Sequence, residues 1–297
     1  MWCLLFIALL ATVQAEEDGD IFAVLIAGID EMWAEASVCH TYHSLRNHGV
    51  KEENIIVFLL DKGKNYSGNP WPGELHTYPD SPDYRVGCKI DYTGNDTNLA
   101  AFLDVLRQNQ TSPRPVLRST SKDNVLIFHA SHGWWGGYQM PGGGMDVAHL
   151  QKTLTYMHEQ GFYKELVFVL DSCNSGSLFF EWLTPKYNIL ALTAAPHDHV
   201  AYIKGFYVPK IHKSIGLVGS LSYWWQDTLD HKDISNTTMR KMYWDIYHRN
   251  NFVRYYGDLD ILSRTVDQFH GRENPHPTLR GSRKKASPSH SIKMCDA

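Results

Sequence analysis

Two reactive side chains each stand just after an apolar run, a thiol at Cys173 and an imidazole at His132. Residues 165–177 read ELVFVLDSCNSGS, a short run rich in Val and Phe that gives way to a carboxylate, the cysteine and a turn at Asn174, Ser175 and Gly176. Residues 124–130 read NVLIFHA and lead into Ser131, His132 and Gly133. A neighbouring imidazole favours the thiolate, which is the nucleophile, and small residues beside the pair let backbone N–H groups approach a developing oxyanion. Cys173 is thus the candidate nucleophile and His132 the candidate base, with Gly133 N–H and Cys173 N–H as oxyanion-hole candidates. The pattern alone leaves a second reading open, a buried free cysteine and a strand-end histidine that never meet.

The elements that must position the pair are strands. Both runs are β-rich, bounded by turn residues and too short to make helices of their own. Between them, residues 146–159 place Val147, Leu150, Leu154 and Met157 at helical spacing, with Asp146 as the candidate cap. Strand, helix, strand predicts parallel neighbours whose carboxyl ends lie side by side, the edge at which open α/β sheets carry their sites. The same alternation covers the rest of the chain. Strands are predicted at residues 21–28, 54–60 and 187–195, and helices at 34–47, 97–107, 214–226 and 237–249. The expected fold is therefore α/β, a mainly parallel sheet sandwiched between helices. Residues 61–94 read as a long surface loop, and Trp134-Trp135-Gly136-Gly137 with Pro141-Gly142-Gly143-Gly144 as a mobile, aromatic-tipped one.

At 297 residues and 43% hydrophobic content the chain suits one large domain with a tail. A formal net charge of -4 gives no electrostatic argument for a nucleic-acid partner or an anionic membrane. The sixteen histidines make surface charge pH-sensitive towards endosomal or lysosomal values. Residues 1–15 (MWCLLFIALLATVQA) have the apolar core and small-residue end of a secretory signal peptide cleaved after Ala15. No later stretch reaches the roughly 18 apolar residues of a membrane span. The expected address is the secretory pathway, ending in lysosome, endosome or the extracellular space. Four sequons, at Asn65, Asn95, Asn109 and Asn236, are N-glycosylation candidates that agree with it. Cys39, Cys88, Cys173 and Cys295 remain after cleavage. Four is a poor count for a disulfide framework at this size, and no pair has zinc spacing. No metal or cofactor is expected, and a lone cysteine after a strand invites the nucleophile reading. Whether Cys39 pairs with Cys88 is left open. Residues 272–297 form a basic, Pro- and Ser-rich tail expected to be disordered.

His132-Gly133 after one strand and Asp171-Ser172-Cys173-Asn174-Ser175-Gly176-Ser177 after the next resemble the active-site pair of the legumains, asparaginyl endopeptidases among the caspase-like cysteine proteases. The likeness extends to residues 23–28 (AVLIAG), 39–43 (CHTYH), 69–73 (NPWPG), 91–94 (DYTG), 193–195 (TAA), Tyr256-Gly257 and 268–271 (QFHG). It implies a catalytic domain over residues 16–271, a caspase-like fold with a sheet of roughly six strands, Cys173 attacking a scissile carbonyl and His132 handling the proton. It also implies peptide or protein substrates and protein inhibitors of the legumain-binding type as partners. Legumains continue into a helical prodomain, and none is expected here.

Legumains read a P1 asparagine with an arginine before the first helix, an acid before the cysteine and another downstream. An amide has a donor end and an acceptor end, so walls of both signs suit it. Here Asp171 holds the first acidic position, while residues 29–38 (IDEMWAEASV) contain no arginine, Ser220 follows Val218-Gly219 where the second acid is expected, and Ala201 precedes Tyr202 where the family has serine. Asp171, Ala201, Tyr202 and Ser220 are the pocket candidates. The expectation is a secreted or endolysosomal cysteine endopeptidase whose P1 preference differs from strict Asn. The alternatives are a weak or inactive relative that acts by binding, and a transpeptidase or transamidase.

Overall fold

The computed structural model describes residues 19–272 and 290–295; the expected signal segment at residues 1–15 lies outside them. The chain enters on β1 (Ile21–Ala27), crosses through α1 (Met32–Asn47) and returns on β2 (Ile55–Leu59). After the long loop come a short β3 (Tyr92–Thr93) and α2 (Leu99–Leu106), capped by the Asn98 side chain, which accepts from Ala101 N. Then follow β4 (Asn124–Ala130), a small sheet of β5 (Gly133–Trp134), β6 (Gly137–Met140) and β7 (Gly143–Asp146), and α3 (Val147–Glu159). Asp146 caps α3 as expected, accepting from His149 N at 2.8 Å. The cysteine strand is β8 (Glu165–Asp171) and its neighbour β9 (Ile189–Thr193). A hairpin, β10 (Tyr202–Val208) and β11 (Lys213–Gly219), precedes α4 (Ser220–His231) and α5 (Met239–Tyr247). β12 (Arg254–Gly257), a single-turn α6 (Asp267–His270) and β13 (His290–Lys293) complete it.

The main sheet has seven strands in the order β12-β9-β8-β4-β1-β2-β3, one more than expected, and only β12 runs antiparallel to its neighbour. Its central strands are buried on both faces, which explains why they read as unbroken apolar runs rather than alternating ones. Side chains nevertheless sort by parity. Ala23, Leu25, Leu126, Phe128, Val167 and Val169 pack with α1, α4 and α5, and Val24, Ile26, Val125, Ile127, Phe168 and Leu170 with α2 and α3.

α1 is buried almost all round, although its sequence carries Glu, His, Ser and Thr. Its polar groups are answered internally. Ser37 and Thr41 donate to carbonyls one turn back, and the Glu35 carboxylate accepts from Lys62 N and Gly63 N, pinning the start of the long loop. Burial, the dominant cause, pushes Glu35 up to about 7.

Three expectations are corrected. The segment after His132 is not a mobile loop but the β5-β6-β7 sheet, held down by buried Tyr138, Met140 and Met145. Residues 214–219 belong to strand β11, with the helix starting only at Ser220. The apolar residues of both stretches merge into one helical-looking pattern, and Gly219 marks the boundary. Residues 272–297 were expected to lack structure, yet residues 290–293 form β13, antiparallel to β10, while residues 273–289 and 296–297 lie outside the described residues.

Candidate active site

β4 and β8 pair in parallel with Ala130 opposite Asp171, so their carboxyl ends finish level. Ser131 N continues the ladder to Asp171 O at 3.2 Å. His132-Gly133 and Ser172-Cys173 leave the same edge of the sheet side by side. Gly133 is required there, because a side chain at that position would overlap Ser172 Oγ and the Cys173 carbonyl. Beyond Cys173 the backbone turns through Asn174 in the left-handed region (φ 51°), a conformation asparagine tolerates better than most residues. Asn174 N donates to His199 O and Asn174 Nδ2 to His197 O. Ala195 N donates to Ser175 Oγ at 3.1 Å. Gly176 lies against Pro196, His197 and the Tyr256 hydroxyl with no room for a side chain. The turn that carries the thiol is therefore fixed from behind by the segment that follows β9.

His132 sits between a carboxylate and sulfur. Its Nε2 lies 2.8 Å from Glu31 Oε1, and its Nδ1 lies 3.5 Å from the Sγ of Cys295. Glu31 is the residue before α1, and its second oxygen accepts from Trp33 Nε1 at 2.7 Å. The hydrogen bond from His132 holds the Glu31 carboxyl below its ordinary range, burial opposing. An ionised carboxylate only accepts, so Nε2 carries a proton, and Nδ1 is the ring nitrogen turned towards sulfur. Glu31 lies within residues 29–38, the stretch that contains no arginine; its sequence signal is an acid just ahead of a helix that follows the first strand.

Cys173 is buried and is not a free thiol. It is disulfide-bonded to Cys295, with the two Cα atoms 6.4 Å apart, and its Sγ also accepts from Ala201 N at 3.3 Å. Cys39 and Cys88 form a second disulfide. The reading of Cys173 as a lone cysteine is thus corrected; an even count of cysteines was the available signal, but pairing cannot be deduced from count alone.

Of the four pocket candidates, Asp171, Ala201 and Ser220 are buried and Tyr202 is half-buried. Asp171 is fully buried, with Oδ2 accepting from Ser222 N at 2.8 Å and Ser222 Oγ at 2.5 Å, while Oδ1 has no partner among the described residues. Burial pushes Asp171 up to about 6, against the two Ser222 hydrogen bonds. Gly219 faces this carboxylate so closely that a side chain could not fit. Ser220, buried, opens α4. Ser222 was not singled out from the sequence. Ala201 is buried against the sulfur, and Tyr202 begins β10, half-buried and opposite Lys293. Of the sequon asparagines, Asn65, Asn95 and Asn236 are exposed, whereas Asn109 is half-buried with Nδ2 donating to Asp104.

A cavity of about 720 Å³ opens at the opposite end of the sheet, lined by Asp20, Lys51, Asn124 and Glu165, away from the thiol.

The pattern of the peptidase C13 family matches residues 21–272. The chain belongs to the peptidase C13 family. The peptidase C13 relatives that it resembles include the hemoglobinase of Schistosoma japonicum, 32% identical over 92% of this chain and 63% of that one. Mus musculus legumain is 30% identical over 87% and 61%, and the vacuolar-processing enzyme beta-isozyme of Arabidopsis thaliana 32% over 86% and 57%. The chain thus spans about three-fifths of the length of these curated relatives. Among solved structures, caspase-1 from Spodoptera frugiperda superposes with a TM-score of 0.49 at 10% identity, covering 87% of this chain and 92% of that one. Peptidase C13 proteins are cysteine peptidases. Among the described residues, no helix is long and apolar enough to cross a membrane, and no cluster of three or more His, Cys, Asp or Glu could hold a metal.

Proposed function

We propose that this chain is a legumain-type cysteine endopeptidase with Cys173 as nucleophile and His132 as base. The observation that carries the reading is the level finish of β4 and β8, which sets His132 Nδ1 3.5 Å from the sulfur bonded to Cys173. With Cys173 as a thiol, Sγ attacks the scissile carbonyl carbon and the oxygen takes up the displaced electron pair, facing Gly133 N–H and Cys173 N–H. His132 accepts the thiol proton and gives it to the leaving amine. Water then attacks the thioester, loses a proton to His132, and releases the acid and the thiol.

The P1 pocket of this reading has Asp171 as its acid, flanked by Ala201, Tyr202 and Ser220, and lacks an arginine in residues 29–38. A carboxylate with one unpartnered oxygen favours a basic or small P1 over asparagine. Its substrates are peptides or proteins, and it acts in the secretory pathway, in lysosome, endosome or outside the cell. This address suits the exposed sequons.

The test is cleavage of a P1-diverse fluorogenic peptide library between about pH 5 and 7, after thiol reduction, with Cys173→Ala as control. Turnover confined to wild type, with basic or small P1 favoured, is expected. A folded, reduced protein that cleaves nothing rejects the peptidase, and cleavage confined to Asn rejects the altered pocket. The disulfide on Cys173 favours a second reading, a binding protein that does not turn over, and the same experiment separates the two.

A further inference from the structure

We infer that residues 290–295 are a reversible, covalently secured blocker of the Cys173 site, with Cys295 as the redox partner of the nucleophile; the regulatory role rests on the peptidase reading above.

The fit extends well beyond one bond. β13 adds to β10 over four residue pairs, from Gly205 opposite His290 to Tyr202 opposite Lys293. Met294 N then donates to Ala201 O at 3.0 Å, and the Met294 side chain is buried. Gly205 leaves space filled by the His290 ring, where a side chain would collide. An extended peptide in this register delivers its sixth residue to Cys173, and that residue is Cys295. Its sulfur lies 3.5 Å from His132 Nδ1, in the space between base and nucleophile that a reacting group needs. Strand addition and the disulfide therefore exclude a substrate together, one along β10 and the other at the thiol.

The two sulfurs differ in a way that sets the direction of opening. Cys173 is buried, whereas Cys295 is partly exposed. A low-molecular-weight thiol, as thiolate, attacks Cys295 Sγ, and the Cys173–Cys295 bond breaks with its electron pair on Cys173 Sγ. Ala201 N–H, already directed at that sulfur, stabilises the departing thiolate. A second reductant thiolate attacks the mixed disulfide, releasing Cys295, which takes up a proton as a thiol. Two reductant thiols are oxidised to one disulfide, and the protein disulfide is reduced to two thiols.

The test uses the full chain purified without reductant. Proteolytic mass mapping should recover Cys173 linked to Cys295, and iodoacetamide should leave Cys173 unlabelled. Mild dithiothreitol should expose Cys173, and Cys295→Ser should alkylate there at least about tenfold faster than wild type with no reductant present. Recovery of Cys295 unlinked, or labelling of unreduced wild type at the rate of Cys295→Ser, overturns the blocker. The peptidase reading fails separately, if Cys173 becomes alkylatable and yet no peptide is cleaved.

Discussion

At the scale of single residues, Glu31 and Asp171 are two acids with opposite fates. Glu31 is half-exposed and hydrogen-bonded to His132, which keeps it ionised well into acid. It touches no substrate in the proposed chemistry and acts by holding the imidazole with Nδ1 towards sulfur. Glu31→Gln should lower kcat by about tenfold with little change in KM, and Glu31→Asp should recover less than the wild-type rate because it is one methylene short. Steady-state kinetics on the reduced protein check this, and an equal loss in KM alone would point to a binding role. Asp171 is buried and sits above its ordinary 3.8, at about 6. The folded state then binds more protons than the unfolded one between those values. The penalty for ionising Asp171 in place is absent below the ordinary value and complete above about 6. Asp171→Asn keeps an acceptor for Ser222 and cannot ionise. Its stability relative to wild type should therefore be more favourable by ~2 kcal/mol at about pH 7.5 than at about pH 4. Denaturant melts at both pH values measure the difference, and a pH-independent offset contradicts a buried ionisation.

At the scale of elements, the level ends of β4 and β8 govern what Gly133 must be. Gly133→Ala pushes against the Cys173 carbonyl, and a displacement of about an ångström at a reacting centre costs on the order of 10²-fold in rate. The variant should keep its far-ultraviolet circular dichroism while kcat/KM falls by about that factor; wild-type activity would show that the turn gives way freely. The same two strands were legible in the sequence because burial on both faces leaves Leu126 to Phe128 and Leu166 to Leu170 unbroken by polar residues. β10 and β11 were not. Lys204, Gly205 and Gly216 interrupt them, and Ile215 and Val218 fall into step with Leu221 as a helix would. β13 is four residues in a basic, Pro- and Ser-rich context, and its partner strand had not been recognised. Cys295 could not be assigned without that pairing. Glu31 was hidden for a different reason: its role depends on where His132, a hundred and one residues away, comes to rest.

For the whole molecule, the two disulfides do different work. Cys39, buried in α1, is tied to Cys88 forty-nine residues on, closing the long loop onto the helix layer. Restricting an unfolded loop of that length stabilises a chain by about 4 kcal/mol in the chain-entropy description. Cys88→Ser should lower the calorimetric Tm by several degrees while leaving the alkylation behaviour of Cys173 intact; an unchanged Tm would show that the loop is held by its own packing. The histidines also divide. Burial drives His129 and His270 down to about 3, so these two add nothing to the charge gained on acidification, contrary to a reading from count alone. The other bridge joins Cys173 to Cys295, which stays on the same chain after the bond opens. Reclosure is therefore a unimolecular event whose rate does not depend on protein concentration. Dilution will not keep the thiol available, and the open fraction will follow the thiol-to-disulfide ratio of the surroundings rather than the amount of protein present.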